Sequence, residues 1–114
     1  MASVLVVETS ETIRTMLCDA AKEAGHAVDC AVTRGEAEEL MSACFYDLLI
    51  STMVLPDGSG LELAVMAADL GMSTMVIAGH PHALTVTTIA GVIHLRIPYN
   101  AEEFRNLIAN QLGV

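Results

Sequence analysis

Basic residues are scarce in this chain. Arg14, Lys22, Arg34, Arg96 and Arg105 are the only five, against fourteen Asp and Glu, so the formal net charge is −9 over 114 residues. A domain this acidic repels phosphate backbones and anionic lipids, and direct binding to nucleic acid or to a membrane surface is not expected. Long apolar runs are missing too: none reaches the roughly 18 residues that cross a bilayer. The start, Met1-Ala2-Ser3-Val4-Leu5-Val6-Val7-Glu8, has no basic stretch ahead of its apolar run. It does not read as a secretory leader, and a cytoplasmic location is expected. Cysteine is limited to Cys18, Cys30 and Cys44, an odd number without metal-ligand spacing. That predicts reduced thiols packed as small hydrophobes rather than a disulfide framework.

What is present is apolar: 54% of the residues, which rules out disorder and suits one compact domain over 1–114. Short β-branched runs alternate with amphipathic segments. Val4-Leu5-Val6-Val7 is a buried-strand run. Residues 11–24 read as a helix capped by Ser10 and stopped at Gly25. Residues 27–31 form a second strand. Thr33-Arg34-Gly35-Glu36 is a capping box that opens a helix to about Cys44. Residues 47–52 are a third strand, and Pro56-Asp57-Gly58 is a turn, with Asp57 read as a turn residue and not as a catalytic acid. Ser59-Gly60-Leu61-Glu62 is a second capping box, and its helix ends near Gly71. Residues 74–78 and 92–96 are the fourth and fifth strands. Asn100 caps a last helix, with Glu102 and Glu103 favourably placed for its dipole.

The segment 82–90 carries contrary signals. Thr85-Val86-Thr87-Thr88-Ile89 has poor helix propensity. Two parallel strands nevertheless need a crossover, so a short or irregular helix is expected there. Five strands alternating with helices predict a parallel α/β sheet covered on both faces. Loops at the carboxyl ends of such strands form the functional crevice. Here those ends are Glu8-Thr9, Thr52-Met53, Ala78-Gly79 and Arg96-Ile97.

Along its whole length the chain resembles the receiver domain of bacterial two-component response regulators. The resemblance is carried by Val4-Leu5-Val6-Val7-Glu8-Thr9-Ser10, by the run from Asp47 through Pro56-Asp57-Gly58-Ser59-Gly60-Leu61 to Leu63, and by Ile97-Pro98-Tyr99. It implies a flavodoxin-like (βα)₅ fold with a five-stranded parallel sheet, helices on both faces, and strand order 2-1-3-4-5. In receivers two acids after the first strand bind Mg²⁺ and an Asp ending the third strand takes the phosphoryl group. A Thr or Ser after the fourth strand and a Lys after the fifth contact that group. The matching positions here are Glu8, Thr9, Thr52, Ala78 and Ile97, with His94 at the aromatic switch position. Only Glu8 keeps the family's chemistry.

An acyl phosphate needs a carboxylate nucleophile, and Thr52 offers an unactivated alcohol. Glu8 alone is a poor Mg²⁺ site, and Ile97 removes the cation that would pair with phosphate. The losses are coherent, since a lysine kept without its acids would be an unpaired, partly buried charge. No catalytic residue, metal or cofactor is therefore expected. Thr52 is expected to fill the old acid pocket rather than to accept phosphate from a Ser/Thr kinase. His80, His82 and His94 read as loop and surface residues, since their spacing matches no metal pattern. Met66 and Met75 read as gap fillers in the core.

The working surface is then a matter of protein contact. In receivers the first helix docks on the phosphotransfer domain of histidine kinases; the matching positions are Ser10, Ile13 and Met16, with Ile13 expected on the surface. The stripe Leu17, Ala20, Ala21, Ala24 should face the core. Receivers also dimerise or contact effectors through the fourth helix, fifth strand and fifth helix, which here implies a homodimer or effector contact near Arg96, Arg105 and Tyr99. The expected function is signalling without phosphorylation, as a brake or adaptor on a histidine kinase or phosphotransfer protein. The alternatives are a constitutive regulatory domain of a larger regulator, or a small-molecule pocket where phosphate once sat, oriented by Glu8, Thr9 and Thr52. A start at Met1 and an end straight after the last helix favour a stand-alone protein. The bond between Ile97 and Pro98 is expected to be cis, as the resemblance implies.

Overall fold

A computed structural model describes residues 2–80, 83–88, 91–96 and 101–113. The elements are β1 Ser3–Val7, α1 Glu11–Glu23, β2 Ala27–Ala31, α2 Arg34–Ala43, β3 Leu48–Thr52, β4 Val54–Leu55, β5 Gly58–Ser59, α3 Gly60–Asp69, β6 Ser73–His80, β7 Ala83–Thr88, β8 Gly91–Arg96 and α4 Ala101–Leu112. The main sheet runs β2-β1-β3-β6-β7-β8, and β4 and β5 make a small hairpin of their own. β2, β1, β3 and β6 are mutually parallel, as a flavodoxin-like receiver fold requires.

The apolar runs form central strands because both faces of each strand are buried. Along β1 the side chains alternate between two cores. Val4 and Val6 join Leu17 and Ala21 of α1 and Ile108 of α4. Leu5 and Val7 join Ala37 and Met41 of α2 and Leu63 and Ala67 of α3. The caps read from the sequence are made. The Ser10 hydroxyl accepts from Ile13 N at 3.3 Å, Thr33 from Glu36 N at 3.2 Å, and Ser59 from Leu61 N at 3.1 Å. The glutamates of the two capping boxes do other work. Glu36 accepts from Val32 N at 3.4 Å, and Glu62 is drawn to Arg34. Gly25 follows the end of α1 with φ +90°, a conformation that stops a helix cheaply only at glycine.

Two expectations are corrected. The crossover helix at 82–90 is replaced by β7, antiparallel to β6 on one side and to β8 on the other. The five-stranded parallel sheet thus becomes four parallel strands extended by an antiparallel pair. Thr85, Val86, Thr87 and Thr88 are β-branched, and their strand preference prevails over the crossover rule once the strand direction reverses. Second, Cys18 and Cys30 are joined in a disulfide between α1 and the edge strand β2, while Cys44 is free and exposed. Their separation of 12 residues hides a tertiary neighbourhood created when α1 packs back on β2.

Candidate functional site

The crevice forms where β1 and β3 end beside β6, which runs on to His80; Val7 is paired to Ser51 and Thr52 to Ile77. Glu8 leaves β1 buried, at 7% exposure. Its Oε2 accepts from Thr9 N at 2.7 Å and from Ser10 N at 3.4 Å, so the carboxylate binds the amides that lead into α1. Thr9 is exposed, and its hydroxyl donates to the Val32 carbonyl at 3.3 Å, which ties this loop to the one before α2. Arg14 closes the loop from above: Nη1 donates to the Glu8 carbonyl at 3.0 Å and to the Thr9 carbonyl at 3.3 Å.

Thr52 is half-buried at the end of the central strand. Among the described residues no carboxylate, imidazole or ammonium group is hydrogen-bonded to its hydroxyl, so nothing there activates it as a nucleophile. Ser51 has 0% exposure, and its hydroxyl donates to the Thr52 carbonyl at 2.9 Å, which withdraws it from any modifying enzyme. Ala78, half-buried on β6, offers no hydroxyl. A divalent cation does not fit this donor set. Among the described residues at these strand ends one carboxylate is present, one of its oxygens is held by two amides, and the neighbouring Thr9 hydroxyl is spent on a carbonyl.

His94 and Arg96 lie on β8, in register with Thr85 and Ala83. With β6 and β7 intervening, β8 is three strand spacings from β3, about 14 Å at the usual separation. Ile97, Pro98 and Tyr99 lie outside the described residues, and with them the expected cis bond and the lysine position; so does His82.

On α1 the three residues expected to dock separate. Ile13, expected on the surface, is half-buried and packs against the core shared by α1 and α4. Met16 is the exposed one, at 36%. Ser10 spends its hydroxyl as acceptor for Ile13 N. The expected core stripe holds at Leu17, Ala20 and Ala21, with Ala24 half-buried.

One feature of this end was missed in the sequence. The Asp57 carboxylate accepts from Arg34 N at 2.8 Å and from Gly35 N at 2.9 Å, and so caps α2 from the β4–β5 hairpin. The Gly35 and Arg34 amides hold its carboxyl below the usual range. Arg34 in turn meets Glu62 of α3 at 2.6 Å and Glu38 at 3.3 Å, contacts that raise its own affinity for the proton. The link spans 23 positions in the chain, and only the local turn signal at Asp57-Gly58 pointed to the hairpin. At the opposite end of the sheet a groove of about 300 Å³ lies among Met41, Ser42, Phe45, Leu70 and Met72. Beneath it Tyr46 is buried and donates to Asp29 at 2.7 Å; burial first and Asp29 second push its phenol above the usual range.

No family model matches the chain. Over 59 residues, 52% of the chain, it is 39% identical to the transcriptional regulatory protein PmrA of Pectobacterium parmentieri, and the match spans 27% of that protein's length. A CheY-like response regulator receiver domain protein from Methanospirillum hungatei JF-1 superposes with a TM-score of 0.77 at 22% identity, over 99% of this chain and 94% of that one. The beryllofluoride-activated NtrC4 receiver domain dimer gives 0.76 at 25% identity over 99% and 98%. The non-phosphorylated HemR receiver domain of Leptospira biflexa gives 0.74 at 22% over 100% and 96%. Among the described residues no helix is long and apolar enough to cross a membrane. The parallel order β2-β1-β3-β6, helices on both faces and these full-length superpositions give the chain the fold of response-regulator receiver domains.

Proposed function

We propose that this chain signals by protein contact in a two-component or phosphorelay system, without being phosphorylated on its own crevice. The observation that carries the reading is the state of the two residues at the phosphorylation positions. Glu8 spends Oε2 on the amides of Thr9 and Ser10, and Thr52 is an alcohol with no basic partner among the described residues. Those residues supply neither a carboxylate nucleophile nor a second acid for a metal, the two requirements of acyl phosphate chemistry. In a system built on phosphohistidine donors, a domain of this shape occupies the donor without draining it. The chain then acts as a competitive brake or an adaptor on a histidine kinase or phosphotransfer protein. The docking edge is the start of α1, where Met16 is the exposed apolar side chain.

The test is competition. A phosphorylated histidine phosphotransfer domain is mixed with a competent receiver, with and without this protein in excess. Slower transfer to the receiver, with no label on this chain, supports the brake. Label on this chain, or transfer at an unchanged rate, overturns it. The PmrA match, confined to 27% of a longer protein, supports a second reading as the regulatory module of a larger regulator. In that case transfer is unaffected, and contact is made with an output domain instead.

A further inference from the structure

The two helical layers of this fold are unequal. Right-handed crossovers fix which face each helix takes. The step from β1 to β2 runs toward one edge of the sheet and puts α1 on one face; the steps from β2 to β3 and from β3 to β6 run the other way and put α2 and α3 on the opposite face. A further parallel step past β6 would lay its helix beside α3. Among the described residues that helix is replaced by β7, hydrogen-bonded into the sheet. Among the described residues nothing helical lies beyond α3 in its layer.

The flank of α3 that faces this gap is apolar. Gly60, Leu63, Ala64 and Ala67 point to the sheet and are buried. Glu62 and Met66 lie on the flank toward α2, where Arg34 touches both. At about 100° per residue, Leu61, Val65 and Ala68 fall together on the other flank. Leu61 is 43% and Val65 62% exposed, and Ala68 is exposed. Val54, 78% exposed, sits at the start of the same helix, paired with its cap Ser59. The outward positions of α1, by contrast, are mostly polar, with Glu11, Thr12, Thr15, Asp19 and Glu23 exposed, as solvent requires.

Charge says what would cover the stripe. Asp69 borders it, and the nearby cation Arg34 is already held on the other flank by Glu38 and Glu62. The chain carries −9 overall, so a second copy would bring the same carboxylates against these. We propose that the flank of α3 formed by Leu61, Val65 and Ala68 seats an amphipathic helix of a partner protein, apolar on one face and basic along its edges, in the place left by the missing crossover helix. This seat is separate from the α1 edge, and the proposal does not depend on the phosphotransfer reading.

The probe is a fluorescein-labelled leucine–lysine peptide of about four helical turns with its leucines on one face. A scrambled peptide of the same composition is the control for charge alone. Anisotropy titration with the wild-type protein should show the amphipathic peptide binding at least tenfold tighter than the scrambled one. The double variant Leu61→Ala, Val65→Ala should lose at least tenfold for the amphipathic peptide, with its melting temperature unchanged, since both side chains are exposed and alanine suits a helix. Thr15→Ala, exposed on α1 in the other layer, should bind as wild type. Equal binding of the two peptides, or no loss in the double variant, overturns the proposal. So does a wild-type dimer that the double variant dissociates, because the occupant would then be a second copy.

Discussion

Replacing Gly60 by alanine sets the first turn of α3 against the end of the central strand. A Cβ at Gly60 would lie 1.8 Å from the Thr52 carbonyl oxygen, 2.9 Å from its carbon and 3.0 Å from Ser51 Oγ. The obstacle is backbone, fixed on one side by the β3–β6 ladder and on the other by the 2.8 Å bond from Gly60 N to the Met53 carbonyl. Neither can yield without moving α3 off the sheet. Overpacking of this kind costs about 1–3 kcal/mol, and a clash with main chain belongs at the top of that range. At roughly 4 °C per kcal/mol for a domain of this size, the melting midpoint should fall by about 12 °C. Thermal denaturation followed by circular dichroism reads it, with Gly35→Ala as the opposing control. At Gly35, inside α2, the nearest atom to a new Cβ is Asp57 Oδ2 at 3.4 Å, an ordinary contact. Alanine there should stabilise by about 0.5–1 kcal/mol. A Gly60→Ala midpoint within about 1 °C of wild type, or a Gly35→Ala protein that falls as far, would refute the packing of α3 on Thr52.

Three more outcomes follow from the structure. Ile13→Asp should lower stability by about 1–3 kcal/mol because it sets a charge against the α1–α4 core. Met16→Asp should leave the midpoint unchanged and weaken binding of a histidine phosphotransfer domain in calorimetry. The Asp57 carboxyl is held below its ordinary 3.8, so its stabilising effect is full above that pH and is lost as pH falls through the lowered folded value. Asp57→Asn should therefore be less stable at neutral pH and show a flatter acid limb in urea midpoints taken down to about pH 3.

Much of the fold is legible in the sequence where local and global signals agree. Val4-Leu5-Val6-Val7 and Leu48-Leu49-Ile50 have to be central strands, because both alternating sets of side chains need a core. Ser10, Thr33 and Ser59 mark helix starts by chemistry that acts over three residues. Legibility ends where the deciding contact is distant. Thr85-Val86-Thr87-Thr88 shows its strand preference openly, yet the crossover rule argues for a helix, and only the antiparallel partners decide. Ile13 looks exposed on a helical wheel of α1 alone; it is half-buried because it meets the core that α4 completes. The same holds for Cys18 with Cys30, and for Asp57 with α2, whose partners no spacing rule connects. At the crevice the sequence shows which side chains stand at the ends of β1 and β3. That Glu8 turns onto the amides of Thr9 and Ser10, and that Arg14 clamps the loop, depends on backbone direction after β1.

The central claim is that the crevice cannot carry a phosphoryl group. Intact-mass spectrometry after incubation with acetyl phosphate and Mg²⁺ tests it most directly, with a competent receiver treated in parallel. The protein should keep its unmodified mass while the competent receiver gains one phosphoryl group. A gain of one phosphoryl group on this chain, mapped to Thr52, would contradict the claim, because it would require a base beside that hydroxyl and a metal site beside Glu8.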